Sequence, residues 1–411
     1  MKSKKVMAFL VKFKFTETEF TNLNLINLCK IFDVKFIDIS RIFKKKIIIL
    51  QSKIKIKKIF YHNIITISDL KKKLLKVDYV FDFQQSINNN KIILNFFNKV
   101  KPKEFKVLCQ TGGSLPNFFN HNNIQKIFFL FSFIFNVFKY RLFFKAIKNL
   151  KHYLKIFFLS LNKKKFSNYN FFYDYLLVAN DVADKNADYY FNYSKKIYGH
   201  YKDYELHLLK INNEQYQNNY AVFIDEAIFN HPDNFEPLGG NRLNTKKNIY
   251  LYFRDLNNFF DNFEKYTSTK IIIAAHPRSL DFDYENQDFD YENYLNGRKV
   301  IKHKTYELIK KSKLVFAHYS TSVSHAVMLK KPLIFLNSSL MFDIGYFTKI
   351  LSYSIETGCK MIDIKNNNIN YNNLFNQDLS LYKNYVNKFL KSSKSRNKNL
   401  WDIVNSKIDN N

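Results

Sequence analysis

The sequence predicts an α/β fold of two Rossmann-like domains, with a basic and aromatic helical insertion in the N-terminal one. Three observations carry this prediction. Short apolar runs of strand length alternate with helical patterns, the signature of βαβ units and parallel sheets. The alternation occurs twice, on either side of an Asn- and Gln-rich stretch at Asn212–Tyr220. The 411 residues suit two domains of ordinary size better than one. The expected boundaries are 1–210, 221–378 and a helical tail over 379–411.

In the first half, Val6–Phe13 reads as a strand and Glu17–Phe32 as a helix. Val34–Ile39, Ile64–Ile67, Asp78–Phe83 and Phe105–Gln110 read as further strands, and Tyr173–Asn180 closes the series. Phe105–Gln110 runs into Thr111, Gly112, Gly113 and Ser114. Parallel sheets bind ligands at the carboxyl ends of their strands, and the chain has only eight Gly. Gly112 and Gly113 are therefore candidate ligand-binding residues, with a plain tight turn as the other reading. In the second half, strands at Ala221–Ile224, Lys270–Ala275, Leu314–Ala317 and Leu333–Leu336 alternate with helices at Asn248–Tyr266, Thr305–Lys311 and Ser322–Leu329. Asp281–Asn293 is acidic and reads as a loop, and Leu379–Ile408 reads as helical.

Hydrophobic residues make up 46% of the chain and aromatics 18%, which excludes a disordered protein. The net charge is +30, yet only seven of 65 basic residues are Arg: Arg41, Arg141, Arg242, Arg254, Arg278, Arg298 and Arg396. Base readers and phosphate clamps lean on Arg forks, and no nucleic-acid motif is present, so nucleic acid is not an expected partner. Residues 1–210 hold 39 basic against 14 acidic residues, a net of +25, and 211–411 only +5. Cys29, Cys109 and Cys359 lie far apart, so neither a disulfide framework nor a metal site is expected. The first residues lack the pattern of a signal peptide. The longest apolar run, Ile127–Phe138, falls short of the roughly 20 residues of a spanning helix. A cytoplasmic protein is expected.

The insertion over 124–165 joins an apolar run, Ile127–Phe135, to Lys139, Arg141, Lys145, Lys148, Lys151, Lys155 and Lys163–Lys165. No acidic residue stands between Glu104 and Asp174. Aromatics at helical spacing with cations between them can lie in the headgroup plane of an anionic membrane. A peripheral position at the inner face of the cytoplasmic membrane is the expectation, and a core helix pair with a solvated charged face is the other reading.

Chemistry concentrates in the second half. Strand Leu314–Ala317 runs into Ser320, Thr321 and Ser322, which open a helix ending at Lys331-Pro332. Hydroxyls and unpaired N–H groups at a helix start suit a phosphate; ordinary N-capping by Ser320 or Thr321 is the alternative. Strand Lys270–Ala275 delivers His276, Pro277 and Arg278, where an imidazole and a guanidinium could meet a departing phosphate.

This order, strand–His-Pro followed by strand–hydroxyl turn–helix–Lys-Pro–strand, resembles the donor-binding domain of GT-B glycosyltransferases. It is most similar to the bacterial transferases that build capsule and lipooligosaccharide, including sialyltransferases that use CMP-sugars. The resemblance covers about residues 221–340 and implies a nucleotide-sugar donor, CMP-sugar favoured, with a glycan or glycolipid acceptor. No separate cofactor is expected beyond the donor, and because no Asp-x-Asp cluster stands at a strand end, a metal-independent transfer is expected. His276, Arg278, Ser320, Thr321 and Ser322 would surround the donor phosphate. The family's acidic pair followed by Gly is matched by Asp225-Glu226, with Ala227 in place of Gly; either carboxylate would serve as base towards the acceptor hydroxyl. Glu307 would hold the donor ribose, or is a plain helix-start carboxylate. Asp281-Phe282-Asp283 and Asp288-Phe289-Asp290 read as solvated. Two alternatives remain: a nucleotide-sugar 2-epimerase of the same fold, and a basic nucleic-acid-binding protein.

Overall fold

The computed structural model describes residues 4–11, 23–43, 60–64, 66–82, 85, 87–88, 90–112, 115–116, 120–139, 171–211, 218–229, 246–277, 291–343 and 345–408. The chain forms two compact units. The first draws its described residues from Met1–Ser114, Lys164–Asn212 and Asn387–Asn411, the second from Leu115–Lys163 and Asn213–Val386.

The first unit holds a seven-stranded, wholly parallel sheet. Its strands are β1 (Val6–Val11), β2 (Asp33–Asp38), β3 (Phe60–Asn63), β4 (Tyr79–Asp82), β5 (Lys106–Thr111), β6 (Phe172–Val178) and β7 (Asn192–Tyr198), in the order β3-β2-β1-β4-β5-β6-β7. Helices α1 (Leu25–Ile31), α2 (Ile67–Leu74) and α3 (Lys91–Glu104) run between these strands. The chain goes on through α4 (Asn123–Lys139), α5 (Asp181–Tyr190) and α6 (Lys202–Lys210). Strands covered on both faces must be apolar on both, and β1 obeys this. Met7, Phe9 and Val11 face one core, while Ala8 and Leu10 face the other.

The second unit holds a six-stranded parallel sheet of β8 (Tyr220–Ile224), β9 (Lys270–Ala275), β10 (Val300–Lys302), β11 (Leu314–Ala317), β12 (Leu333–Asn337) and β13 (Met361–Asp363). Its order is β10-β9-β8-β11-β12-β13. Helices α7 (Lys246–Thr267), α8 (Thr305–Lys311), α9 (Val323–Met328) and α10 (Phe347–Thr357) belong to this unit, and α11 (Leu400–Ile408) ends the chain. Both sheets step outward from a central first strand and then cross to its other side, the doubly wound Rossmann order. The expected fold of two Rossmann-like domains is the fold observed.

Two segments belong to units other than those expected. Helix α4, the described part of the basic aromatic segment, lies in the second unit, not the N-terminal one. Phe129, Phe133 and Val137 pack on Phe347 and Leu351 of α10. The tail is not one helix and does not stand alone. Its end, α11, covers a face of the first sheet, where Trp401 sits fully buried with its ring edge-on to Phe9 and Phe81, each centroid 5.6 Å away. Its indole N–H donates to the Leu23 carbonyl at 2.6 Å. Glu205, buried on α6, takes the Leu400 N–H at 2.9 Å and the Asn24 side-chain amide at 2.6 Å. It also bonds the His200 imidazole at 2.6 Å. One carboxylate thus ties the start of α1 to the start of α11.

Trp401→Ala is expected to destabilise the first unit by about 3–5 kcal/mol, the cost of emptying a large buried aromatic site. Urea denaturation measures this, and a loss below about 1 kcal/mol would contradict the packing described.

Candidate functional site in the second unit

The candidate residues gather where β8, β9 and β11 end. Strand β8 is the first strand of its sheet in the chain, with β9 on one side and β11 on the other. The gap beyond β8 and β11 is therefore the topological switch point, where the helices that would cover a sheet diverge and leave a crevice.

Each strand delivers part of the site. Ile224 pairs with Ala274 of β9 and Ala317 of β11, so Asp225, Ala275 and His318 are the next residues out on three adjacent strands. Asp225 continues the sheet by one bond, its N–H reaching the Ala274 carbonyl at 3.1 Å. The chain then turns sharply at Ala227, which is buried with φ 53. That left-handed conformation is free for Gly and costs other residues on the order of 1 kcal/mol. Here is a physical reason for Gly after the acidic pair in the motif the sequence resembles, and Ala227 makes the turn with its methyl group packed inside.

The turn aims Glu226 across the switch point. Its Oε1 accepts the backbone N–H of Tyr319 at 2.9 Å and of His318 at 3.3 Å. Its Oε2 is buried, with no hydrogen-bond partner among the described residues. Burial and the neighbouring Asp225 carboxylate push the Glu226 carboxyl well above its ordinary range, and the backbone N–H groups pull the other way. Each donor to a carboxylate contributes about 1.5–3 kcal/mol, while enclosing the ionised group beside a like charge costs several. Desolvation wins, and Glu226 holds its proton more tightly than an exposed glutamate does.

His318 fixes the strand end that receives Glu226. It is fully buried, with Nδ1 2.7 Å from the Leu336 carbonyl and Nε2 2.7 Å from the Tyr252 hydroxyl. The carbonyl only accepts, so Nδ1 carries the hydrogen and Nε2 accepts from Tyr252. Burial lowers His318 to about 4, and the imidazole stays neutral. Tyr252, raised by burial and by the nearby Asp225 and Glu226, stays a donor. Tyr319 follows, and Lys349 of α10 lies over its ring at 4.5 Å and over Tyr346 at 5.0 Å.

Ser320, Thr321 and Ser322 form the turn from β11 into α9. Ser320 Oγ accepts the Ser322 N–H at 3.2 Å, and Ser324 Oγ donates to the Thr321 carbonyl at 2.6 Å. Ser320 therefore closes the turn rather than capping the helix in the usual way, and Thr321 is exposed. His276 stands partly exposed at the end of β9 with exposed Pro277 after it. Glu307 lies in the first turn of α8, which follows edge strand β10. Gly112 belongs to the first unit, where φ is 143 and a Cβ would lie 2.5 Å from Ala179 Cβ. Close approach of two strand ends accounts for this glycine. Arg278, Gly113, Asp281-Phe282-Asp283 and Asp288-Phe289-Asp290 lie outside the described residues, as does the basic part of the 124–165 segment beyond Lys139. Among the described residues no cluster of three or more His, Cys, Asp or Glu side chains could hold a metal ion.

Sequence reasoning missed Tyr252, Lys349 and the role of His318. The signal for His318 was its place directly after a buried strand, next to the hydroxyl run. Tyr252 and Lys349 carry no local signal, because one is among 28 Tyr and the other lies on a separate helix.

A carboxyl held protonated by the fold stabilises most at low pH, and that contribution is lost as pH rises through its folded value. Gln in place of Glu226 keeps the acceptor for both N–H groups and carries no charge. Glu226→Gln is therefore expected to match the parent Tm near pH 5 and exceed it increasingly towards pH 8. Parallel Tm profiles would show that Glu226 titrates normally.

No family model and no curated protein matches the chain. Among solved structures it is similar to a variant of the wall teichoic acid polymerase TagF, at 11% identity and a TM-score of 0.49, over 99% of this chain and 89% of that one. It is similar to the UDP-GlcNAc 2-epimerase from Methanocaldococcus jannaschii, at 13% identity and 0.43, over 98% and 99%. It is also similar to MurG of Acinetobacter baumannii, at 8% and 0.36, over 91% and 89%. At such identities and scores these likenesses carry no argument about chemistry, which rests on the residues themselves.

Proposed function

We propose that the chain is a glycosyltransferase whose second unit binds a nucleotide-sugar donor. One observation carries the reading: the Glu226 carboxyl is bonded to the backbone where β11 enters the hydroxyl turn. An acidic group and a hydroxyl-lined turn thus meet at the switch point of a Rossmann sheet, one strand from His276. The motif order His276-Pro277, Ser320-Thr321-Ser322 and Lys331-Pro332 supports a CMP-sugar as donor. It also supports a glycan or glycolipid acceptor in capsule or other surface-polysaccharide synthesis.

In this reading the acceptor hydroxyl oxygen attacks the anomeric carbon, and the bond from that carbon to the donor phosphate breaks. The bonding electrons leave with the nucleotide phosphate. The ionised form of Glu226, made more basic by its surroundings, takes the hydroxyl proton, and Asp225 keeps it basic, so transfer rises with pH as Glu226 gives up the proton it holds in the free protein. His276, Arg278, the Ser320–Ser322 turn and the Lys349 ammonium meet the charge on the departing phosphate, so protein groups rather than a metal ion neutralise it. Glu307 holds the donor ribose.

The test is turnover with CMP-, UDP- and GDP-sugars, each with and without glycan acceptors. Transfer is expected only with acceptor. His276→Ala should lower it about 10²-fold, as for loss of a charge-stabilising group, with Tm unchanged. Glu226→Gln should remove it, since Gln preserves the turn and cannot take a proton. Near-normal turnover by Glu226→Gln would reduce Glu226 to a prop for the turn. Epimer formed from UDP-N-acetylglucosamine without acceptor would overturn the transferase reading.

A further inference from the structure

Helix α4 is apolar on two faces, one of them buried and the other exposed. Phe129, Phe133 and Val137 are buried against α10. Ile127, Phe128, Phe131, Ile134, Phe135 and Phe138 point outward, with Phe131 70% and Phe135 69% exposed. Their spacing of three and four residues places them in one stripe. Together they leave on the order of 600 Å² of apolar surface open, the upper end of what soluble monomers expose. Beside the stripe runs an open groove lined by Phe128, Phe131 and Phe135 of α4 and by Leu351 and Met361.

Charge identifies the occupant. Residues 105–173 hold eleven Lys or Arg and no Asp or Glu, and the stripe lies inside this stretch. A protein partner is met through a mixed polar rim, whereas an apolar stripe within a purely cationic stretch fits an anionic lipid surface. The helix cannot cross a bilayer. It has 17 residues, about 25 Å of length, and its inner face is already packed on α10. Among the described residues no helix is long and apolar enough to span.

We propose that the outer face of α4 seats the second unit on an anionic membrane, with Phe131 and Phe135 in the headgroup–acyl boundary and α4 parallel to the surface. Helix α10 then joins membrane to site. Phe347 and Leu351 hold α4, while Lys349 and Tyr353 of the same helix contact Tyr319, the residue bonded to Glu226. A lipid-borne acceptor would reach the candidate site one helix away from the bilayer. Seating on lipid does not depend on the transferase reading and is measured without turnover.

The test is co-sedimentation of the full chain with phosphatidylcholine vesicles, with and without phosphatidylglycerol. Binding is expected only to the anionic vesicles and should weaken as salt rises. Phe131→Gln with Phe135→Gln should weaken it about tenfold or more at unchanged Tm, because both rings are exposed. Lys145→Gln, Lys148→Gln and Lys151→Gln together should bring it towards the neutral-vesicle level. Equal binding to both vesicle types, or no effect of the Phe pair, would overturn the proposal. So would dimerisation that the Phe pair abolishes in a chain that ignores vesicles, since the stripe would then belong to a second copy.

Discussion

One carboxyl group stands where the second sheet reverses its winding, and the order of the site depends on it. Strands β8 and β11 separate at their carboxyl ends, leaving backbone N–H groups that no neighbouring strand can take. Glu226 takes two of them, at His318 and Tyr319. The contact spans more than ninety residues of sequence and fixes the turn of Ser320, Thr321 and Ser322 against the acidic pair. Around it, His318 locks β11 to β12 through Leu336 and to α7 through Tyr252. The enclosure that orders the turn also raises the carboxyl's proton affinity, so structure and reactivity have one cause.

The first unit solves a similar problem with the opposite outcome. Glu205 is buried more completely, and three donors surround it: Asn24, Leu400 and His200. A carboxylate so satisfied is a fastener. It returns the end of the chain to the sheet where the chain began, and Trp401 fills the remaining space. Glu226 differs in having one oxygen buried and unmatched. That contrast, more than burial itself, separates a chemical candidate from a structural one.

Every interior strand of both sheets was legible as an apolar run, because burial on two faces leaves no other composition open. The four strands not read correctly are the four edges, β3, β7, β10 and β13. Edges are covered by one neighbour only. Asn192–Tyr198 is correspondingly polar, with Ser194 and Lys195 exposed, and β10 and β13 are three residues long. The expected strand Ile64–Ile67 straddles the end of β3 and a helix start, where Thr66 and Asp69 form a capping box that the apolar run concealed. The site was legible as motifs, His276-Pro277, Asp225-Glu226 and the hydroxyl run, since each stands at a strand end. What joins them was not, because a hydrogen bond between residues 226 and 319 leaves no local trace. The unit to which α4 belongs was illegible for the same reason. An amphipathic helix announces that it packs, and the partner is decided by distant Phe347 and Leu351.

The proton held at the switch point decides whether Glu226 is a chemical group or a structural one. Carbon-13 NMR of the Glu226 carboxyl, assigned by loss of its signal in Glu226→Gln, follows that proton directly across a pH titration. The carboxyl is expected to stay protonated well past the ordinary glutamate range, and its titration to shift when a nucleotide sugar binds. Titration at the value of an exposed glutamate, unchanged by any nucleotide sugar, would contradict this expectation.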